Sequence, residues 1–189
     1  MIRPPLEAHT RTEINIRLKN LGWNLNEKDP NCTVTQEQAK TDELNALFQG
    51  KNPDYVLYDK QGLSPIGVIE AKRPGEDLNE AMKQAIELYG KPLGVPLAFA
   101  FNDTFVTAKH IPQNKPLKID GAELQDFIDQ LTALRFIQDG PEIYSLPKGV
   151  NFTREALLNI FKVTNNDYWV YSIVLLRQVG YRILEGGVI

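Results

Sequence analysis

Hydrophobic positions recur along this chain with two different periods, and the changes of period mark its elements. Ile14, Leu18, Leu21 and Leu25 follow one another at three- and four-residue spacing directly after Thr10-Arg11-Thr12-Glu13, a sequence of capping-box form. That combination predicts a first helix opened at Thr10. From Asn26 to Lys51 the chain is polar, with room for a short helix over Gln36 to Phe48, and Gln49-Gly50-Lys51-Asn52-Pro53 reads as a loop. Tyr55-Val56-Leu57-Tyr58 and Ile66-Gly67-Val68-Ile69 are then short β-rich runs on either side of Asp59-Lys60-Gln61-Gly62. They predict an antiparallel pair of strands joined by a turn.

Pro74-Gly75 stops the second strand, and Asp77-Leu78-Asn79-Glu80 opens a helix that repeats Ala81, Ala85 and Leu88 on one face. Leu97 to Phe101 reads as a buried strand, Asn102-Asp103-Thr104 as a turn, and Phe105 to Ala108 as the returning strand. Asp120-Gly121-Ala122-Glu123 is expected to start a helix carrying Leu124, Phe127, Ile128, Leu131 and Leu134, which ends at Gly140-Pro141. Beyond Leu146, a Pro-Lys-Gly linker precedes two expected helices, Thr153 to Phe161 and Tyr168 to Leu184, the second apolar on more than one face. The pattern therefore predicts an α/β domain over residues 1–147 and a helical segment over 148–189 that needs a partner surface.

Composition narrows the function classes. A chain of 189 residues with 42% hydrophobic and 24% charged residues is an ordinary globular domain, and none of its apolar runs approaches the roughly 20 residues of a membrane span. The N-terminus lacks the apolar core of a secretory signal, and the single Cys32 can form neither an internal disulfide nor a cysteine cluster, so a reducing cytoplasm is expected. With only His9 and His110 present, a metal would be held mainly by carboxylates, which points to magnesium-type chemistry. The net charge is −3, and only the stretch 72–118 carries more basic than acidic side chains, so no global charge advertises a nucleic-acid partner.

The sharpest chemical feature is Pro53-Asp54 opening one predicted strand and Glu70-Ala71-Lys72 closing the next. Residues two apart on a strand share a face, so Glu70 and Lys72 project together while Ala71 points away. If the two strands pair antiparallel, Asp54 lies beside Glu70, and two carboxylates and an ammonium meet at one sheet edge. Two carboxylates can hold Mg²⁺, or Mn²⁺ in its place, while leaving positions for water and a phosphate oxygen. The ion would lower the pKa of the attacking water, and Lys72 would orient that water and the phosphate.

These residues resemble a known family. Asn52-Pro53-Asp54-Tyr55-Val56-Leu57-Tyr58 followed by Gly67-Val68-Ile69-Glu70-Ala71-Lys72-Arg73-Pro74 is similar to the PD-(D/E)xK nuclease core, and most similar to the N-terminal nuclease domain of type I restriction enzyme R (HsdR) subunits, over roughly residues 10–147. The resemblance implies a restriction-endonuclease-like α/β fold, with a central mixed β-sheet flanked by helices, and a Mg²⁺-dependent endonuclease without sequence specificity of its own. It makes Asp54, Glu70 and Lys72 the catalytic set and offers Glu13, on the first helix, as a further metal ligand, although Glu13 is also the capping-box glutamate. It implies a Gln-x-x-x-Tyr motif on the following helix. Gln84 fits that motif as a catalytic and substrate-positioning residue; the tyrosine position holds Leu88, with Tyr89 one residue later. Tyr89 and Arg73 complete the substrate-binding candidates.

The same resemblance implies double-stranded DNA, modification and specificity subunits, and an ATP-driven translocating motor as partners. The motor's phosphate loop is absent, since Gly90-Lys91 is followed by Pro92, so ATP belongs only to a motor outside this chain, and the sequence looks like a fragment or an independently encoded short relative. The alternative is a catalytically silent domain of the same fold that docks partner subunits. A third reading is an α/β binding domain in which the carboxylates, His9 and Cys32 are unrelated surface groups.

Overall fold

The computed structural model describes residues 5–145, 183–184 and 187–188, with side chains from residue 9 to residue 145. Two compact units divide the chain, Met1–Tyr144 and Ser145–Ile189. In the first, six strands form one sheet in sequence order: β1 (Val34–Gln36), β2 (Tyr55–Tyr58), β3 (Pro65–Ala71), β4 (Leu97–Phe101), β5 (Val106–His110) and β6 (Lys115–Pro116). All neighbours are antiparallel except β3 and β4, which run parallel. The sheet is thus mixed, as the resemblance implies. A parallel pair cannot be joined by a tight turn, so the chain crosses from β3 to β4 over one face of the sheet through α3 (Leu78–Gln84), the helical turn Ala85–Gly90 and α4 (Lys91–Leu93).

Alternation along the strands sorts the core into two layers. Tyr55, Leu57, Ile69, Leu97, Phe99 and Phe101 face one side, where they pack with Ile14 and Leu18 of α1 (Pro5–Asn20) and with Ala133 and Phe136 of α5 (Gln130–Asp139). Val56, Tyr58, Val68, Ala98 and Ala100 face the other, against Ala81, Met82, Ala85 and Tyr89. Alanines on both sides of that second layer bring the crossover helix close to the sheet. Gly90 completes the approach, because a Cβ there would lie 2.4 Å from Ile111 Cδ1 and 3.2 Å from the Ala85 carbonyl.

Four expectations need correction. The first helix begins at Pro5, so Thr10 to Glu13 lie inside it and form no cap, while Leu21 and Leu25 follow its end and pack partly buried on the core. The polar stretch holds β1 and a five-residue helix, α2 (Asp42–Ala46), in place of one helix over 36–48. Thr41 caps α2 by accepting a hydrogen bond from Leu44 N–H, a local signal stronger than the diffuse apolar spacing upstream of it.

Third, Asp120-Gly121 makes a hairpin turn between β7 (Lys118–Ile119) and β8 (Ala122–Glu123) rather than a helix start. Both turn residues have positive φ, 54° and 81°, the requirement of the two-residue turn that Asp-Gly favours. The helix starts later, at Asp129, whose side chain accepts from Thr132 N–H at 2.7 Å, and it ends on Gly140 as expected. β7 also pairs in parallel with β9 (Glu142–Ile143).

The expected helices over 153–161 and 168–184 fall almost wholly outside the described residues. Their last two positions, Ile183–Leu184, form β10 and pair antiparallel with β11 (Gly187–Val188), so a helix does not extend to Leu184. Among the described residues no helix is long and apolar enough to cross a membrane.

Candidate active site

The register of β2 and β3 builds the site. Tyr55 opposes Ile69, Val56 opposes Val68 and Leu57 opposes Gly67, so one step further along Asp54 comes beside Glu70. Ala71 N–H donates to Asp54 Oδ2 at 2.8 Å and fixes that carboxylate at the end of the pair. Lys72 extends past β3, held by its own N–H on the Phe101 carbonyl at 2.8 Å. Its side chain turns to the same face as that of Glu70, as strand alternation requires.

Lys72 Nζ donates to Glu70 Oε1 at 3.1 Å and to Gln84 Oε1 at 2.6 Å, so the ammonium sits between the strand and the last residue of α3. An ammonium has only donors, which assigns the Gln84 contact to its carbonyl oxygen and leaves its NH₂ as the group that can donate. Glu70 is 7% exposed, and its Oε2 is buried without a hydrogen-bond partner. Its pKa is pushed up to about 7, first by burial and then by the charge of Asp54, with Lys72 opposing both.

An open cavity of about 230 Å³ lies over this edge, lined by Thr10, Arg11, Asn52, Asp54, Glu70, Ala71, Lys72 and Glu76. The orphaned Glu70 oxygen and the Asp54 carboxylate are hard oxygen donors converging on one space, and they fit Mg²⁺, a cation that usually keeps several waters and takes one or two carboxylates. Among the described residues no set of three or more His, Cys, Asp or Glu side chains gathers as a metal cage. Glu13 does not line the cavity.

α1 contributes Thr10 and Arg11 to the cavity, and the charged side chain it brings there is Arg11, two positions before Glu13. Its guanidinium donates through Nη2 to Asp54 Oδ1 and through Nη1 to Glu37 Oε1. Burial opposes its charge, yet the carboxylates of Asp54 and Glu37 outweigh burial and raise its pKa above the ordinary arginine value. The pattern along the sequence does not single out Arg11 or Glu37. Their contacts span 26 and 43 residues, and no local spacing encodes them.

Tyr89 reaches the site side of its helix through an irregular turn. Residues Ala85–Gly90 form a π-helical segment, and Lys91 N–H donates to the Ile86 carbonyl five residues back. An i→i+5 turn carries one extra residue, so residue 89 stands relative to Gln84 about where residue 88 would stand on an α-helix. Tyr89 is buried, Leu88 is half-buried, and the Tyr89 ring meets Phe48 edge-on at 5.7 Å. Its pKa is raised to about 12 by burial and then by the nearby charges of Glu70 and Asp54. Arg73 lies in the turn after β3, where its carbonyl accepts from Glu76 N–H at 3.1 Å; Arg73, Gln84 and Tyr89 do not line the cavity, and Gln84 reaches it through Lys72.

Residues 37–111 match the family model described as the type I restriction enzyme R protein N terminus. The matched stretch holds Glu37, Asp54, Glu70, Lys72, Gln84 and Tyr89; Arg11 and Glu13 precede it. That match supports the resemblance carried by the motifs, and the mixed six-stranded sheet between helices is compatible with the nuclease core it implies. No curated protein and no solved structure matches the chain.

Proposed function

We propose that the chain provides a divalent-metal-dependent endonuclease domain that hydrolyses DNA phosphodiester bonds without sequence specificity of its own, a reading supported by the match of residues 37–111 to the type I restriction enzyme R protein N terminus. The observation that carries this reading is the convergence of Asp54, Glu70 and Lys72 at one sheet edge, with a buried Glu70 oxygen left without a partner. Asp54 and Glu70 would hold Mg²⁺, or Mn²⁺ in its place. The bound ion would supply Lewis-acid stabilisation of the phosphate and a more acidic water.

The chain's own groups divide the remaining work. Lys72, fixed between Glu70 and Gln84, places a positive charge at the cavity wall, where it can orient a water and a phosphate oxygen. Gln84 holds Lys72 through its carbonyl, which leaves its amide able to donate to substrate. In the assembly the reading implies, modification and specificity subunits choose the DNA and an ATP-driven motor delivers it, so the domain itself needs little affinity for the duplex. A cytoplasmic location follows from the same assembly.

Mn²⁺-induced NMR line broadening on the whole chain tests the site, together with nicking of supercoiled plasmid in Mg²⁺. The reading expects broadening centred on residues 54, 70 and 72 that disappears in Asp54→Asn. It expects Lys72→Ala to keep the broadening and lose nicking. A chain that folds but shows no localised broadening at millimolar Mn²⁺ would instead be a silent docking domain.

A further inference from the structure

Asp54 has both carboxylate oxygens engaged, Oδ2 by the Ala71 N–H at 2.8 Å and Oδ1 by the Arg11 guanidinium. Glu70 Oε1 is engaged by Lys72. The guanidinium therefore holds an Asp54 oxygen that a cation would need, in the same cavity that Glu70 lines. Its backbone has little freedom to withdraw, since α1 is packed on the sheet through Ile14 and Leu18 and the Tyr55 hydroxyl donates to the Arg11 carbonyl at 3.2 Å. The side chain can move, and it has a second anchor. Glu37 accepts from Nη1, and the Glu37 N–H donates to the Asp54 carbonyl at 3.1 Å, so this carboxylate is tied to the same strand end.

We propose that Arg11 is a built-in competitor for the metal site, occupying Asp54 in the metal-free protein and retreating onto Glu37 when a divalent cation binds. The inference rests on the reading of Asp54 and Glu70 as metal ligands and adds a regulatory element to it. Two consequences follow from charge. The metal-free site is held together by ion pairs and does not need a cation for its assembly. A cation that enters must displace or sit beside a full positive charge that cannot be titrated away. At a separation of about 5 Å, a unit charge weakens the binding of a divalent ion by about tenfold even at the dielectric of water.

Mn²⁺ titration of the whole chain, read from the EPR signal of free Mn²⁺, separates this proposal from the reading beneath it. Arg11→Met removes the charge and keeps an aliphatic stem; Arg11→Gln also removes the charge but can still donate to Asp54, which protects the experiment against a variant that does not fold. Both neutral variants are expected to bind Mn²⁺ about tenfold more tightly than the wild type. Arg11→Lys, which keeps the charge, should stay within about threefold of it. Unchanged or weaker affinity in folded neutral variants, with binding abolished by Asp54→Asn, overturns the role of Arg11 and leaves the metal site standing. Wild-type affinity in Asp54→Asn removes the metal site and this proposal together.

Discussion

Glu70 ends an apolar strand with one oxygen on Lys72 and the other buried without a partner, and this placement dictates how the protein should respond to pH. The folded carboxyl, with a pKa near 7, holds its proton more tightly than the unfolded one, so stability falls as pH rises from the ordinary glutamate range to about 7 and stays lowered above it. The ceiling is about 3 kcal/mol, worth several degrees in Tm for a domain of this size. Without divalent cations, the wild-type Tm should therefore drop between pH 5 and pH 8, and Glu70→Gln should flatten that slope and be the more stable form at pH 8. Saturating Mn²⁺ should raise the wild-type Tm at pH 8 and leave Glu70→Gln unmoved. A parallel slope in the two proteins would show that Glu70 does not carry the proton. Asp54, Glu70 and Lys72 are legible in the sequence because their placement follows from strand alternation and a short hairpin. Arg11 is not legible, since its role depends on how α1 lies across the sheet.

At the scale of elements, the π-helical segment Ala85–Gly90 explains a discrepancy in spacing that the sequence leaves open. Gln84 and Tyr89 are one residue too far apart for an α-helix to put them on a common face, and the wider turn absorbs the extra residue. Deleting the exposed Glu87 should then convert the segment to an α-helix while preserving the helix on either side, with Tyr89 now four positions from Gln84. Urea unfolding should show a change of about 1 kcal/mol or less, since the Glu87–Lys91 pair that is lost is exposed. In an uninterrupted α-helix the same deletion would rotate the following residues by about 100° and expel Ile86 or Tyr89 from the core. Loss of folding in the deletion variant would therefore contradict the account. Tyr89→Phe should keep the contact with Phe48 and cost little, whereas Tyr89→Ala should cost about 3–5 kcal/mol. Elements with strong local chemistry, such as the β2–β3 and β4–β5 pairs and the Asp77 cap of α3, are readable directly. Asp120-Gly121 is misread because the same residues serve as helix openers and as hairpin turns, and only the pairing of β7 with β8 and β9 decides between them.

Across the whole molecule, the described core is contained in the first compact unit. The two faces of the six-stranded sheet are covered by α1 and α5 on one side and by α3 with the π-helical segment on the other, and every described core residue lies between Ile14 and Ile143. The site residues belong to this unit as well, placed by β2, β3, α1 and α3. The layered arrangement is legible because apolar runs of different period alternate along residues 10–139, and a parallel pair is the natural result where a helix separates two strands. A chain ending after Tyr144 should then unfold in one cooperative transition and keep the Mn²⁺ affinity of the full-length chain within about twofold, as expected when neither core nor ligands are removed. Calorimetry on the shortened chain, with Mn²⁺ titration at the same pH, checks both halves of the expectation. A shortened chain that folds but has lost Mn²⁺ affinity would show that the Ser145–Ile189 unit contributes to the site. One that fails to fold would show that the sheet and its two helical layers need stabilisation from beyond Tyr144.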